Sequence, residues 1–379
     1  MLRYWTAGES HGKTLLGIVD GFPGGLEIET ETIDDELRRR QGGYGRGGRQ
    51  RIETDRVEIL SGTWHNRTLG SPISLQVINK DYRLERLDDL DRPRPGHGDL
   101  TGAIKYLGSI RAILERASAR ETAMRVAVGA LTKQLLEQFG IRTIGYVVEL
   151  GGVCVEPRDA PLDDQLKLRD ESIIYSLDPS RDDEVKQLID ETQKQGDTLG
   201  GVVEARVEGL PFGLGTHAQW DLKLDGRLAH AVMAVQAIKG VEIGMGFEAA
   251  RRPGSQVHDP IQYDESQKDG PTLGYVRPTN NAGGLEAGMT NGQPLVVRAA
   301  MKPISTLAKP LESVNLSTKQ PEAASYERSD VCAVSAASVI IENVVAFEVA
   351  RALVDKFGND SLQEMKGRWD LFHQMARQR

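Results

Sequence analysis

Two cysteines in 379 residues cannot build a disulfide framework. Cys154 and Cys332 also lack the partner spacing of a zinc site, and they read as small buried hydrophobes. No run of about 18 apolar residues is present, so no membrane-spanning helix is expected. The opening MLRYWTAGESHG lacks the apolar stretch of a secretory signal, and the expected place is the cytoplasm. Positive charge is not in excess. Lys and Arg number 47 against 55 Asp and Glu, a formal charge of −8, which argues against a general nucleic-acid binder. No P-loop and no HExxH occurs. The nearest approach to a dinucleotide fingerprint, at residues 43–48, has the wrong spacing and carries Arg46. What is present is a globular composition, 39% hydrophobic and 27% charged, with 41 glycines that suit tight ligand loops.

The stretch 92–140 organises the rest. Pro93 and Pro95 stiffen its start. His97 follows between Gly96 and Gly98, with Asp99 in reach of the imidazole. Two helices are predicted next. The second has Ser118 or Thr122 as its cap and buries Met124, Val128, Leu131, Leu135 and Leu136 at three- and four-residue spacing. A stiff histidine loop followed by an Arg-Ala-Ser turn into a buried helix reads as a ligand wall backed by core.

Along the chain, residues 2–7 and 15–19 read as strands, joined by GESHG with His11 in another glycine frame. Residues 32–39 read as a helix capped by Thr32. Then seven arginines (Arg38, Arg39, Arg40, Arg46, Arg49, Arg51, Arg56) lie in nineteen residues with five glycines and Tyr44. Three readings compete: a solvated basic loop, an RNA-binding Arg-Gly segment, or a guanidinium clamp for an anionic small molecule. Strands are predicted at 57–61, 74–78, 142–149, 200–209 and 294–300. Residues 156–197 read as a surface excursion with an amphipathic helix over 182–195 that puts Val185, Leu188 and Ile189 on one face, 227–239 as a buried helix with 241–244 opening a further strand, and 251–273 as a polar loop. Residues 334–357 read as a second long apolar helix, and 361–379 as a polar helix or tail. The loop at Lys302 offers a cation, amides and two hydroxyls, which suit a phosphate or a polar ring edge, or simply a surface turn. The helices ending in Phe139-Gly140 and Phe357-Gly358 each follow an Arg-polar turn. They suggest a weak internal repeat, or chance. These residues together point to acid–base chemistry on an anionic substrate, with an organic phosphate-bearing cofactor as an option.

Eight blocks carry a resemblance: GESHG at 8–12, RRQGGYGRGGR at 39–49, RPGHGD at 94–99, RASARETAMR at 116–125, QAIKGVEIG at 236–244, NAGGLEAGMTNGQP at 281–294, MKPIST at 301–306 and RSDVCAV at 328–334. In this order, across nearly the whole chain, they resemble the signature of the chorismate synthase family, bacterial single-activity type. Gly98 stands where that pattern commonly has Ala, Met245 where it has Asp, and Ala287 where it has Gly.

The resemblance implies an α+β fold, a helical core sandwiched between antiparallel β-sheets with a pseudo-twofold internal repeat, as one domain over residues 1–379. It implies a lyase that eliminates phosphate and a ring hydrogen, 1,4-anti, from 5-enolpyruvylshikimate 3-phosphate to give chorismate. Reduced FMN is required without net redox change and is supplied by an external flavin reductant. His11 is implied as the acid toward departing phosphate, His97 as the group that stabilises or protonates the reduced flavin ring, and Asp330 as a helper in deprotonating its N5. Arg40, Arg46 and Arg49 are implied to bind substrate. Arg116, Ala117, Ser118, Gln236, Ala237, Ala287, Lys302, Pro303, Ile304, Ser305, Thr306 and Arg328 are implied to hold the cofactor. A homotetramer is expected, with no nucleic-acid, membrane or metal partner. Two rivals make different predictions. A flavin- or nicotinamide-dependent oxidoreductase would consume NAD(P)H stoichiometrically, and an RNA binder would show salt-sensitive affinity.

Overall fold

A computed structural model describes the chain except residues 49–51, 156, 158–159 and 328. Its first sheet comes from sequence with a period of two. Strands β1 (Arg3–Ala7), β2 (Thr14–Asp20), β3 (Val57–Ser61) and β4 (Ile73–Ile78) pair antiparallel in the order β1-β2-β4-β3. In β2, Leu15 and Val19 are buried while Leu16 and Ile18 face out, so the sheet has one core face. Helix α1 (Thr30–Gln41) crosses between β2 and β3 and buries Ile33 and Leu37. Thr32 does not cap it. Glu29 holds the cap position and the Thr32 hydroxyl donates to the Glu29 carbonyl, 2.8 Å away, because the helix starts two residues earlier than expected.

Helices α2 (Asp99–Tyr106), α3 (Ile110–Ala117) and α4 (Thr122–Glu137) follow. Ser118 does act as a cap, but on the short 3₁₀ turn Ala119–Glu121 that leads into α4. The five apolar positions expected to be buried in α4 all are.

A second antiparallel sheet uses β5 (Arg142–Leu150), β6 (Val153–Cys154), β7 (Gly201–Glu208), β9 (Ile238–Ile243) and β12 (Leu295–Met301), in the order β9-β12-β7-β5-β6. A small third sheet joins β8 (Phe212–Gly215), β11 (Met289–Asn291) and β10 (Leu285–Glu286). Between the two large sheets lie α4 and α8 (Val334–Phe357). Helix α4 packs on β2 and β4, and α8 on β5 and β7. The fold is thus α+β, a helical layer between antiparallel sheets. Helix α8 is apolar on nearly every side because neighbours enclose it. Gly129 lets α4 and α8 close on each other. A Cβ there would lie 2.4 Å from both the Cβ and the carbonyl oxygen of Asn343.

Several expected elements differ. Within 156–197 the described residues carry α5 (Leu162–Glu171), which was not expected, and α6 (Asp182–Gln195), the predicted amphipathic helix, whose Val185 and Ile189 join the main core. The predicted helix over 227–239 is α7 (Leu224–Met233), a turn, and then β9. Ala237 turns the chain at φ +67° and Ile238 pairs with Met301, a long-range choice that apolar periodicity alone cannot make. Residues 251–273 contain short 3₁₀ turns and one edge of a ribbon, Gln262–Tyr263 with Tyr275–Val276. Residues 361–379 take the helical of their two readings, as α9 (Leu362–Ala376), capped by Ser361. Cys332 is buried, which pushes its thiol up to about 11, but Cys154 on the edge strand β6 is exposed. Among the described residues, no helix is long and apolar enough to cross a membrane and no metal-holding cluster occurs.

Candidate active site

One cleft of about 430 Å³ gathers most of the implied residues. Its walls are the two histidine loops, the Arg-Gly loop, the turn between α3 and α4, the α7–β9 turn, the segment after β12 and the start of α8. His11, His97, Asp330, Arg40, Arg46, Ala117, Ser118, Gln236, Ala237, Lys302, Pro303, Ile304, Ser305 and Thr306 all line it. The Arg-polar turns before α4 and α8 therefore meet at one place. Arg49 and Arg328 fall outside the described residues.

Two implied residues lie elsewhere. The Arg116 guanidinium points away and ties down β1, donating to the carbonyls of Gly8 (3.1 Å) and Thr6 (2.9 Å). Ala287 sits in the tight turn between β10 and β11, at φ +52°, and does not line the cleft. Met245 is also off the cleft, in a turn where its N–H donates to Asn281 O at 2.8 Å. Gly98 does line it.

Each histidine is held through Nδ1. His97 donates to Asp99 at 2.5 Å, and Asp99 also accepts from the Arg94 main chain (3.0 Å) and guanidinium (2.8 and 3.0 Å). Burial alone would raise the Asp99 pKa, but the His97 and Arg94 hydrogen bonds hold it well below the usual carboxylate range. Arg94 in turn reaches Thr306 Oγ1 (2.9 Å), which joins the His97 loop to the Lys302 loop. His11 Nδ1 lies 2.9 Å from Glu115 Oε1, and its Nε2 lies 3.7 Å from Asp81.

The cleft is built for an anion. Arg40, Arg46, Arg83, Arg94, Arg120 and Lys302 face Glu53, Asp81, Glu327 and Asp330, six cations against four carboxylates among the described lining residues. Arg40 is pushed down to about 10, first by burial and then by Arg120 and Arg46, with Asp55 opposing; it stays cationic at neutral pH. Asp55 accepts from Arg120 at 2.6 Å and from Arg40 at 3.5 Å. Lys302 donates to Gly96 O at 2.7 Å, and burial followed by the nearby Lys239 lowers its pKa. Guanidiniums crowded this closely repel one another, and an added anion would relieve that repulsion.

Asp330 fixes the Arg-Gly loop. It accepts from the Gly47 N–H at 2.6 Å and pairs with Arg46 at 2.8 Å. Gly45, at φ +85°, sits so close to Cys332 that a side chain would press on it. This loop is a folded wall, so the solvated basic loop is not what the chain builds at Gly45–Gly47.

A sequence model of the family described as chorismate synthase matches residues 2–354. The chain belongs to the chorismate synthase family. It is similar to the chorismate synthases of Geobacter metallireducens (55% identical over 384 residues, 98% of each chain covered) and Enterococcus faecalis (51% over 381 residues, 96% of this chain and 97% of that one). A crystal structure of a chorismate synthase superposes with a TM-score of 0.82 at 43% identity, covering 100% of this chain and 99% of that one. The protein is therefore a lyase of the shikimate route to aromatic amino acids, acting on a small molecule.

Sequence reading missed Arg120, Arg94, Asp99's role as a hub, and Glu115. Arg120 and Arg94 lie inside signature blocks, and their position beside the Arg-Ala-Ser turn and the histidine loop is the signal that marks them. Glu115 offered no local signal, since its partner His11 is 104 residues away.

Proposed function

We propose that the cleft eliminates phosphate from 5-enolpyruvylshikimate 3-phosphate to give chorismate, with reduced FMN bound beside the substrate and reduced by an external source. The observation that carries this reading is the crowding of Arg40, Arg46 and Arg120 against two carboxylate-held histidines in one cleft. The guanidiniums bind and orient the phosphate and carboxylates. The imidazole of His11 delivers a proton to the departing phosphate oxygen. His97 faces the ring site, and Asp330 accepts a proton there once Arg46 engages substrate.

The residues fit a flavin. The Gln236 side-chain oxygen is buried with no hydrogen-bond partner among the described residues, which suits a ring N–H. Ala117, Ala336, Ala337 and Ile340 give an apolar wall for a flat ring, and the half-buried Lys302 supplies a cation for a phosphate. When bound, the reduced flavin supplies the electron density that lets phosphate leave, which side chains cannot. The test is anaerobic: chorismate absorbance and free phosphate, with FMN oxidised or pre-reduced by dithionite. Many turnovers per reduced flavin and none with oxidised flavin are expected. A folded sample that releases no phosphate with reduced FMN would refute the reading.

We further read the protein as a cytoplasmic homotetramer that uses the outer face of the first sheet. Trp5, Leu16, Ile18 and Ile78 are exposed there side by side, with Trp5 paired to Ile18 in register. Trp5→Glu with Ile18→Glu is expected to lower the mass seen by light scattering. An unchanged tetramer mass would move the contact to another face.

A further inference from the structure

We propose that Glu115 is the positioning residue of His11, and that its carboxylate decides which imidazole nitrogen carries the proton. The inference rests on the reading of His11 as the acid toward phosphate, but its first test does not.

Glu115 stands in the last turn of α3, directly behind the GESHG loop. It grips that loop at three points. Its main-chain oxygen accepts from the Ser10 N–H at 2.9 Å. Its Oε2 accepts from the His11 N–H at 2.7 Å. Its Oε1 accepts from His11 Nδ1 at 2.9 Å. The side chain is 1% exposed, so these bonds do not compete with solvent. An ionised carboxylate only accepts, so Nδ1 must carry a hydrogen in both the neutral and the charged ring. The proton that comes and goes is then on Nε2, on the side of Asp81.

The carboxylate is kept ionised. Burial alone would raise its pKa, but the hydrogen bonds from His11 and the charge of Arg111 hold it below the ordinary glutamate value. Arg111 lies one turn back with Nη1 3.7 Å from Oε1, and its Nη2 is anchored on Glu327 at 2.8 Å. The same device holds His97, where Asp99, two residues on at the start of α2, takes Nδ1. For His11 the carboxylate comes from a different element. Its removal therefore separates ring orientation from the integrity of the loop's own residues.

Glu115→Gln is the decisive change because it keeps shape and removes only the double acceptor. The His11 main-chain N–H still needs an acceptor, which claims the amide oxygen. The amide NH₂ then faces Nδ1, so Nδ1 must accept and the neutral ring must carry its hydrogen on Nε2. The first readout is ¹⁵N NMR of the histidine side chains in the free protein. The His11 hydrogen is expected on Nδ1 in the native chain and on Nε2 in the variant. The second readout is turnover with reduced FMN. kcat is expected to fall by about 10²-fold or more, while KM for substrate changes by less than about threefold. Glu115→Asp retains a carboxylate and is expected to keep the Nδ1–H form and lose less than half of the Gln effect on a logarithmic scale. If Glu115→Gln does not fold, Glu115→Asp carries both readouts. An unmoved tautomer in Glu115→Gln overturns the proposal, as does a moved tautomer with native kcat, or an Asp variant that loses the Nδ1–H form. If the native protein itself releases no phosphate, the reading of the reaction fails, while the tautomer result still decides whether Glu115 sets the ring.

Discussion

His11→Ala is expected to slow phosphate release by about 10²- to 10⁴-fold, the span a positioned acid usually contributes. The argument is geometric. Among the described residues, His11 is one of two imidazoles lining the cleft, and it shares that cleft with the crowded guanidiniums that would hold the phosphate. Alanine leaves those guanidiniums in place, so substrate affinity is expected to change far less than turnover. The loop also persists: Ser10 N–H still reaches Glu115 O, and Asn79 still donates to Gly12 O at 2.8 Å. Thermal unfolding is expected to remain cooperative. The parallel change His97→Ala is expected to cost a similar factor, since Arg94 alone keeps Asp99 paired and the fold intact. The measurement is kcat and KM for both variants with pre-reduced FMN, alongside a melting curve. Native turnover in either variant would remove that histidine from the chemistry.

Much of this site was legible because its parts are local. GESHG and RPGHGD each place a histidine between glycines, and a turn is all that is needed to present it. The strand–turn punctuation of the first sheet and the apolar spacing of α4 and α8 are also local, and β1 to β4 and both helices stand where residue patterns put them within about two residues. What could not be read was long-range. Ala237 breaks the apolar run 227–239 because Ile238 finds Met301 in another strand. In segment 156–197 the helix over 182–195 was legible from its apolar face, but not that its Asp190 meets Tyr44 at 2.7 Å and its Ile189 meets Gly45 of the Arg-Gly loop. Arg116 and Ala287 show what a motif leaves open in three dimensions. Both sit in matching blocks, yet one guanidinium turns to β1 and the other residue lies in a separate hairpin. A motif fixes residue type and spacing, and the side chain's direction comes from packing that the motif does not contain.

The largest stability effect is expected from Glu342, deep in α8 and away from the cleft. Its side chain is 0% exposed and accepts from Lys133 at 2.5 Å, Arg39 at 2.9 Å and the Gly145 N–H at 3.0 Å. Glu36 completes the group by pairing with Arg39 at 2.5 Å and Asn343 at 2.8 Å. The cluster ties α1, α4, α8 and β5 together where the glycine contact brings the helices closest. Replacing the whole group with apolar residues could be neutral, but removing one member leaves buried charge without a partner. Glu342→Ala leaves Lys133 and Arg39 to share Glu36, with buried positive charge in excess, and is expected to cost about 3–5 kcal/mol in denaturant unfolding. The same cluster sets an acid limit. Burial alone would raise the pKa of Glu342 and Glu36, but Arg39 and Lys133 outweigh it and hold both below the unfolded value of 4.5. A depressed folded pKa contributes stability that is fully present above the unfolded value and is lost as pH falls through the folded one. Melting temperature is therefore expected to be flat toward neutral pH on account of this cluster and to drop steeply below about 4.5. Glu342→Ala should start lower and fall less steeply over that acid range, because one of the two linked carboxylates is gone. Parallel acid slopes for the two proteins would show that Glu342 gains nothing from its buried cations.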